Sequence, residues 1–348
     1  MSDRGGASHP LVELTLARFR EFLREPEAVF WVFAFPVIMT CALGIAFRSR
    51  GAEPVVVGIV ESAAGGRLAG MLEADGGFTV RRIAPADVER AIRDGRAPVV
   101  VEPGPPPVYR FDQARAESQV ARLAVDRALQ RAAGRLDAFT ADERPIAAVG
   151  SRYIDWLVPG LLGMNIMSTG LWGVGFAIVQ ARTKKLLKRL VATPMSRAEY
   201  LASHVLSRLL FLAMEATVIV GFAWAAFGVG VEGSLMSLAV LAVLGALTFG
   251  GLGLLVASRA RTIEAVSGLM NLVMLPMWVL SGVFFASSNF PDPMQPFIQA
   301  LPLSALNDAL RGAMNDGLPL TALGKDIAVL AAWGAGSFGL ALRWFRWQ

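Results

Sequence analysis

The sequence contains few side chains of the kinds that carry out catalysis, and none of them stands in a known catalytic motif. Its two histidines, His9 and His204, lie outside any H-E-x-x-H pattern that would bind zinc. Its single cysteine, Cys41, excludes a disulfide or a thiolate metal site within one chain. No G-x-S-x-G turn that would present a nucleophilic serine occurs. We therefore expect no catalytic residue, no metal site and no bound cofactor in this chain.

The sequence also lacks the glycine-rich loop that binds ATP phosphates. The pattern G-x-x-x-x-G-K-[ST] does not occur, and Gly324-Lys325 is followed by Asp326. Any process that this chain drives with ATP must therefore use the nucleotide site of another polypeptide.

Most of the chain is too apolar for a soluble protein. Of its 348 residues, 54% are hydrophobic, and the mean hydropathy is +0.51. Six intervals contain no charged residue except Glu215, and each approaches or exceeds the length that a helix needs to cross a bilayer. They are 28–47, 156–181, 209–231, 233–258, 265–291 and 327–342. The last interval is short, so the Lys325 amine must extend to the interface. The sequence thus predicts an α-helical integral membrane protein with six transmembrane helices.

The distribution of basic residues predicts the orientation of these helices. If the N-terminus is cytoplasmic, Lys and Arg concentrate in the cytoplasmic segments, whereas the short outside segments hold only Arg311 and Lys325. Both termini then lie in the cytoplasm, as in a multi-pass protein of a bacterial cytoplasmic membrane. All lysines except Lys325 crowd one loop, so the net charge of +5 reflects topology and does not indicate nucleic-acid binding.

Two segments outside the apolar intervals have patterns of their own. Segment 48–152 alternates strand patterns at 54–60, 78–83 and 97–101 with helix patterns at 65–74, 85–93 and 113–136. This alternation predicts an inserted extracytoplasmic α/β domain with a partly parallel sheet. Segment 1–27 has Val12, Leu16, Phe19 and Leu23 on one helical face. That helix either lies in the membrane interface or packs as a soluble helix on a partner.

Glu215 stands out because it is an acidic residue inside an apolar interval, about two turns after Arg208. An isolated charge is costly there, so it needs a partner or water. Two interpretations remain open: Glu215 lies on a translocation path or in a polar contact between spans, or it is protonated or reaches Arg208. Asn271 and Pro276, in the fifth interval, are further candidates for such a path or contact.

The segment 292–311 is apolar but interrupted by prolines. Pro293, Pro296 and Pro302 leave it too short and too broken to span the bilayer. It forms either a re-entrant pair of half-helices or an ordinary outside loop with apolar patches.

The cytoplasmic loop 182–204 carries a basic cluster followed by signals for a helix start. Thr193 suits an N-cap and Pro194 the first helical position, which predicts a short amphipathic helix with Tyr200 and Leu201 on its apolar side. Such a helix docks on a partner protein, or its basic neighbours anchor the loop to anionic headgroups, or both.

At these residues the chain resembles the permease subunits of type-2 ABC exporters. The family's loop has a basic cluster, then L-x-x-T-P-x-S/P-R, then an aromatic residue and Leu, and the matching residues here are Leu190, Thr193, Pro194, Ser196, Arg197, Tyr200 and Leu201. The stretch 276–311 is similar to the family's C-terminal signature. In organisation the resemblance covers the whole chain, including the insert after the first span.

The resemblance implies a permease that exports a hydrophobic or amphipathic substrate, such as a drug, a lipid or a peptide antibiotic. ATP and Mg would bind to a separate ABC ATPase, present in two copies, and a second permease would complete a homodimer or heterodimer in the lipid bilayer. The residues implied in coupling to the ATPase are Thr193, Pro194, Met195, Arg197, Glu199, Tyr200 and Leu201.

Two other classes of function compete with this one. A sensor or scaffold, whose outside domain binds a ligand and whose basic loop signals to a cytoplasmic partner, explains the insert but not six spans. An intramembrane transferase would need more polar residues at one depth than Glu215, Asn165 and Asn271 supply.

Overall fold

The computed structural model describes residues 19–20, 23–47, 54–136, 150–183, 197–260 and 262–344. The chain forms two compact units, one of residues 1–49 and 147–348 and the other of residues 50–146. The sequence of the first unit, which is helical, is therefore interrupted by that of the second, which contains a β-sheet.

In the helical unit, residues 26–46 form one continuous helix that contains both α-helical and π-helical turns. It consists of α1 (Pro26–Val29), a π-helical segment (Phe30–Ala34) and α2 (Phe35–Ala46). After the second unit come the long helices α6 (Tyr153–Thr183), α7 (Arg197–Phe227), α8 (Leu235–Arg259) and α9 (Ile263–Leu280), the short helices α10 (Gln295–Ala300) and α11 (Pro302–Met314), and finally α12 (Gly324–Trp344).

Within the described residues, five helices are long and apolar enough to cross a membrane. They span Tyr153–Gln180, Ser207–Phe227, Leu235–Arg259, Ile263–Leu280 and Leu320–Trp344. The apolar helix at Phe30–Ala46 is shorter. The composition and the helices together characterise the chain as an integral membrane protein that is mainly α-helical.

The fifth apolar interval, 265–291, was predicted as a span that ends before an outside segment beginning at residue 287, and it is not helical up to that point. Helix α9 stops at Leu280, and Gly282 has a left-handed φ of +70°. An apolar but irregular segment and two 3₁₀ turns, Ser287–Asn289 and Asp292–Met294, follow. The prediction was wrong here because hydropathy measures how apolar a segment is, whereas a glycine with positive φ ends the helix.

Helix α7 differs from the prediction at its start. It runs without interruption from Arg197, because no proline breaks it, so the residues from Arg197 onward form no separate short helix. It ends at Phe227, directly before the outside segment 228–234 that the sequence predicts, because Gly228 adopts a left-handed φ of +64°. The Val229 amide then donates to the Ala223 carbonyl at 3.2 Å, which caps the helix.

Helices α6 and α8 form the centre of the helical unit, and glycines allow their backbones to approach closely. A Cβ atom added to Gly253 would lie 2.7 Å from the Leu171 carbonyl oxygen, and one added to Gly175 would lie 2.8 Å from the Gly253 carbonyl oxygen. Such close approach is typical of helix pairs in membranes, where packing rather than a hydrophobic driving force holds helices together.

Residues 50–146 contain a four-stranded sheet with the order β2-β1-β3-β4. The strands are β1 (Val55–Val60), β2 (Phe78–Ile83), β3 (Val99–Glu102) and β4 (Val108–Phe111). Strand β1 pairs in parallel with β2 and β3, and β4 pairs antiparallel with β3. The connecting helices are α3 (Ala63–Asp75), α4 (Val88–Arg93) and α5 (Ala116–Ala132).

The two faces of this sheet pack against different helices. Val99 and Val101 point towards α3 and α5, where Leu72 and Val125 complete one core. Val100 points to the opposite face and packs against Val88 and Ala91 of α4. Because successive side chains of a strand point to opposite faces of the sheet, the three consecutive valines contribute to both cores.

Candidate functional site: a buried polar cluster

Glu215 lies at the centre of a buried polar cluster between α6 and α7. Its side chain is 1% exposed, and its carboxylate accepts a hydrogen bond from Arg208, with Nη1 and Oε1 3.3 Å apart. Thr169 of α6 places its hydroxyl 3.2 Å from the other carboxylate oxygen. Arg208 also donates to that hydroxyl through Nη2. The arrangement is both an ion pair within α7 and a polar contact between two helices.

Asn165 extends the cluster to the first helix. The Thr169 hydroxyl lies 2.7 Å from the Asn165 carbonyl oxygen, so its one proton goes either there or to Glu215. The Asn165 side-chain amide donates to the Val32 carbonyl at 2.9 Å. We call Asn165, Thr169, Arg208 and Glu215, with the Val32 carbonyl, the polar cluster.

Pro36 explains why the Val32 carbonyl is free to accept this bond. In a regular α-helix the carbonyl of residue 32 accepts from the amide of residue 36, and proline has no N–H. The backbone winds as a π-helix over Phe30–Ala34, immediately before this proline. The amide of Asn165 therefore satisfies a carbonyl that would otherwise be unpaired in an apolar environment.

The structure does not bring the other predicted path residues to Glu215. Asn271 and Pro276 are exposed on α9, whereas Glu215 is buried. Analysis of the sequence missed Asn165 and Thr169 as members of the cluster. Their spacing of four residues places both on one face of α6, and Pro36 inside an apolar helix signalled a freed carbonyl four residues earlier.

The predicted coupling segment is only partly within the described residues. Thr193, Pro194 and Met195 lie outside them. Arg197, Glu199, Tyr200 and Leu201 belong to the first two turns of α7, which begins at Arg197. This end of α7 is continuous with the helix that carries Arg208 and Glu215.

The comparison with protein families covers nearly the whole chain. The sequence profile of the family described as ABC-2 family transporter protein matches residues 27–343. This chain belongs to the ABC-2 transporter family.

Curated relatives of this ABC-2 protein include three that are similar over about half of its length. It is 27% identical over 186 residues to the linearmycin resistance permease protein LnrN of Bacillus subtilis, which covers 53% of this chain and 48% of LnrN. It is 28% identical over 155 residues to the inner membrane transport permease YadH of Escherichia coli K12, covering 44% of this chain and 57% of YadH. Nodulation protein J of Rhizobium meliloti is 27% identical over 208 residues, which are 57% of this chain and 75% of that protein.

Proposed function

We propose that this ABC-2 protein is the membrane-spanning permease subunit of an ABC exporter that moves a hydrophobic or amphipathic substrate out of the cytoplasm or the inner leaflet. The observation that carries the proposal is the family match, which extends over residues 27–343 and so includes the apolar helices and the residues between them. Relatives that are named as permeases, including one named for resistance, support it.

In this proposal the helix at Phe30–Ala46 is extended by Pro26–Val29 and acts as the first of six spans. The polar cluster supports this arrangement, because Asn165 binds the first helix to α6 in the same way that Thr169 binds α6 to α7. Residues 50–146 form an extracytoplasmic α/β domain, and both termini are cytoplasmic. Helices α10 and α11 form the re-entrant pair.

The energy comes from two copies of a separate ABC ATPase that bind ATP and Mg, and a second permease completes the unit. Closure of the ATPases can move the membrane helices only through a rigid contact. The cytoplasmic end of α7 provides one, because Arg197–Phe227 is a single helix. Tyr200 and Leu201 supply apolar area to the contact, and Arg197 and Glu199 supply charges at its rim.

The double substitution Tyr200→Asp and Leu201→Asp tests this contact. The chain is expressed together with the proposed partner ABC ATPase, and the amount of ATPase that co-purifies is measured together with export and ATP hydrolysis. We expect the double variant to lose the ATPase and to uncouple hydrolysis from export, because buried carboxylates without partners oppose docking.

A matched control introduces the same two charges elsewhere. Val120 and Leu123 are 65% and 56% exposed on α5, so Val120→Asp with Leu123→Asp leaves ATPase recovery unchanged. If the Tyr200 and Leu201 variant recovers as much ATPase and exports as much substrate as this control, the docking role is refuted.

A further inference from the structure

A cavity of about 320 Å³ lies where the ends of three helices meet. The first helix ends at Ala46, α6 begins at Tyr153, and α7 ends at Phe227. The ring of Phe47, which lines the cavity, packs 4.4 Å from the ring of Tyr153, and tyrosine is enriched at membrane surfaces. Because two of the helices are apolar spans that begin or end here, the cavity lies at the level where acyl chains meet headgroups. We call it the interface cavity.

The walls of the interface cavity are almost entirely apolar. At Gly44 the helices are in close contact, since an added Cβ would lie 2.9 Å from Ile154 Cδ1 and 3.0 Å from the Phe227 ring. Ile45 and Phe47 of the first helix are 65% and 54% exposed, so the cavity continues into an apolar surface that faces lipid in a membrane. Of the described residues that line the cavity, one is charged, Arg152.

The Arg152 guanidinium is fixed in place at the cavity. Its Nη2 and Nε atoms donate to the Asp155 carboxylate at 2.6 and 3.0 Å, and Nη1 donates to the Phe227 carbonyl at 2.9 Å. Nη2 also lies 3.5 Å from the Gly228 carbonyl. Of its five N–H groups, four therefore have acceptors among the described residues, and Nη1 retains one for a ligand. The side chain is 46% exposed, so a ligand can reach it.

The chemistry of the cavity selects an amphipathic occupant with a hydrogen-bond acceptor at its polar end. Apolar cavities hold water poorly, and the guanidinium disfavours a cation. A small free anion is held only weakly, because Asp155 already neutralises Arg152 and the other lining side chains are apolar. An apolar chain that carries an acceptor oxygen at one end satisfies both the walls and Arg152.

We infer that the interface cavity binds one phospholipid of the surrounding bilayer, with part of an acyl chain between the walls and a phosphate oxygen that accepts from Arg152. The volume of about 320 Å³ is near the lower limit of small-molecule sites, so the cavity takes a segment of the lipid and the rest follows the first helix. A phospholipid is the molecule of this chemistry that a membrane supplies at this level. The inference does not depend on the proposed transport function, because it rests on the packing of one chain in a bilayer.

Photolabelling of the full chain in nanodiscs of phosphatidylethanolamine and phosphatidylglycerol tests the inference. The probe is a phosphatidylglycerol with a diazirine in the acyl chain near the ester, and mass spectrometry locates the adducts. Leu235 and Met236 report ordinary lipid contact, because they are 69% and 70% exposed at the start of α8, seven residues after α7 ends. We expect several-fold more adducts at Ile45 and Phe47 than at these two residues. Equal labelling would overturn the inference.

A pair of variants separates the cavity from the lipid-facing surface around it. Ala226→Trp fills the cavity from an exposed position of its wall, so it lowers the labelling of Ile45 and Phe47 several-fold. Ala225→Trp is the control, because Ala225 is exposed on the same helix but does not line the cavity, and it leaves the labelling unchanged. Labelling of Leu235 and Met236 stays at the wild-type extent in both variants if the spans remain folded. Cavity labelling that is as strong in Ala226→Trp as in Ala225→Trp would contradict the inference.

A diacylglycerol with the same photoreactive chain tests the contact between phosphate and Arg152. This probe lacks the phosphate, so we expect it to label Ile45 and Phe47 several-fold less than the phosphatidylglycerol probe does. This experiment uses the wild-type chain and therefore does not require a folded variant. Equal labelling by the two probes would refute the assignment of the occupant as a phospholipid.

Discussion

At the scale of single residues, the ion pair between Glu215 and Arg208 determines which substitutions at either position the folded protein tolerates. Glu215 is 1% exposed and the Arg208 side chain 20% exposed. Both charges have therefore lost most of their contact with solvent. Removing one partner from such a pair leaves an uncompensated charge, whereas replacing both with apolar residues is often neutral.

We predict that Glu215→Leu lowers the free energy of unfolding by about 3 kcal/mol, as expected for a broken buried pair. The double variant Glu215→Leu with Arg208→Met regains most of the lost free energy of unfolding. The measurement is thermal unfolding of the purified protein in detergent. Thr217→Val, a substitution at an exposed position of the same helix, is the control. A double variant no more stable than Glu215→Leu would contradict the prediction.

Export rates separate the two interpretations of Glu215. Glu215→Gln keeps an acceptor for Arg208 and Thr169 but removes the negative charge. If Glu215 lies on the translocation path, this variant stays in the membrane and exports less. A wild-type rate would assign Glu215 a structural role.

At the scale of elements, the first helix depends on a hydrogen bond from its neighbour. The Val32 carbonyl lacks its helical donor because residue 36 is proline, and Asn165 of α6 supplies the replacement. The proline in the first helix and the asparagine in α6 therefore depend on each other.

We predict that Asn165→Ala destabilises the wild-type protein by about 1–2 kcal/mol and the Pro36→Ala variant by less, because alanine at position 36 restores a backbone N–H to Val32. A double-mutant cycle on unfolding free energies measures the difference. Pro276→Ala is the matched control, since Pro276 also lies inside an apolar helix but is exposed. If Asn165→Ala lowers the free energy of unfolding equally in the wild-type, Pro36→Ala and Pro276→Ala backgrounds, the coupling between Pro36 and Asn165 is refuted.

The elements differ in how well the sequence predicted them. Strand Phe78–Ile83 has the predicted bounds, because its residue types and the turns on both sides agree. The predicted helix at 65–74 is present as Ala63–Asp75, with Ser62 as its cap. The predicted end of the fifth span, before residue 287, lies six residues beyond the end of α9, since the apolar segment after Gly282 has the hydropathy of a span but not a helical backbone.

The candidate site was predictable only in part. The sequence singled out Glu215 and named Arg208 as a partner within reach, and the structure contains that ion pair. Asn165 and Thr169 could not be connected to it, because contacts between helices distant in sequence depend on which faces pack together.

At the scale of the whole molecule, the orientation of the chain in the membrane is the basis for every functional proposal. In the orientation that we propose from the basic residues, the N-terminus and the loop 182–204 lie in the cytoplasm and residues 50–146 lie outside. In the reversed orientation, the end of α7 that we propose contacts the ATPase would lie on the side without ATP.

We predict that cysteines introduced in a Cys41→Ser background report this orientation. Gln113→Cys and Glu143→Cys react with an impermeant thiol reagent applied to intact cells, because both positions lie in the segment that we propose is translocated. Lys185→Cys reacts only after the cells are opened. Mass-tag labelling measures the extent of reaction, and modification of Lys185→Cys in intact cells would reverse the orientation.

The uninterrupted length of α7 has a mechanical consequence. Over its described length, Arg197–Phe227, α7 extends for about 46 Å at 1.5 Å per residue. Glu215 and Arg208, which fasten it to α6 through Thr169, lie about 18 Å and 28 Å from its Phe227 end. A helix fastened there turns about the fastening, so a displacement of the residues before Arg208 would swing the Phe227 end in the opposite direction.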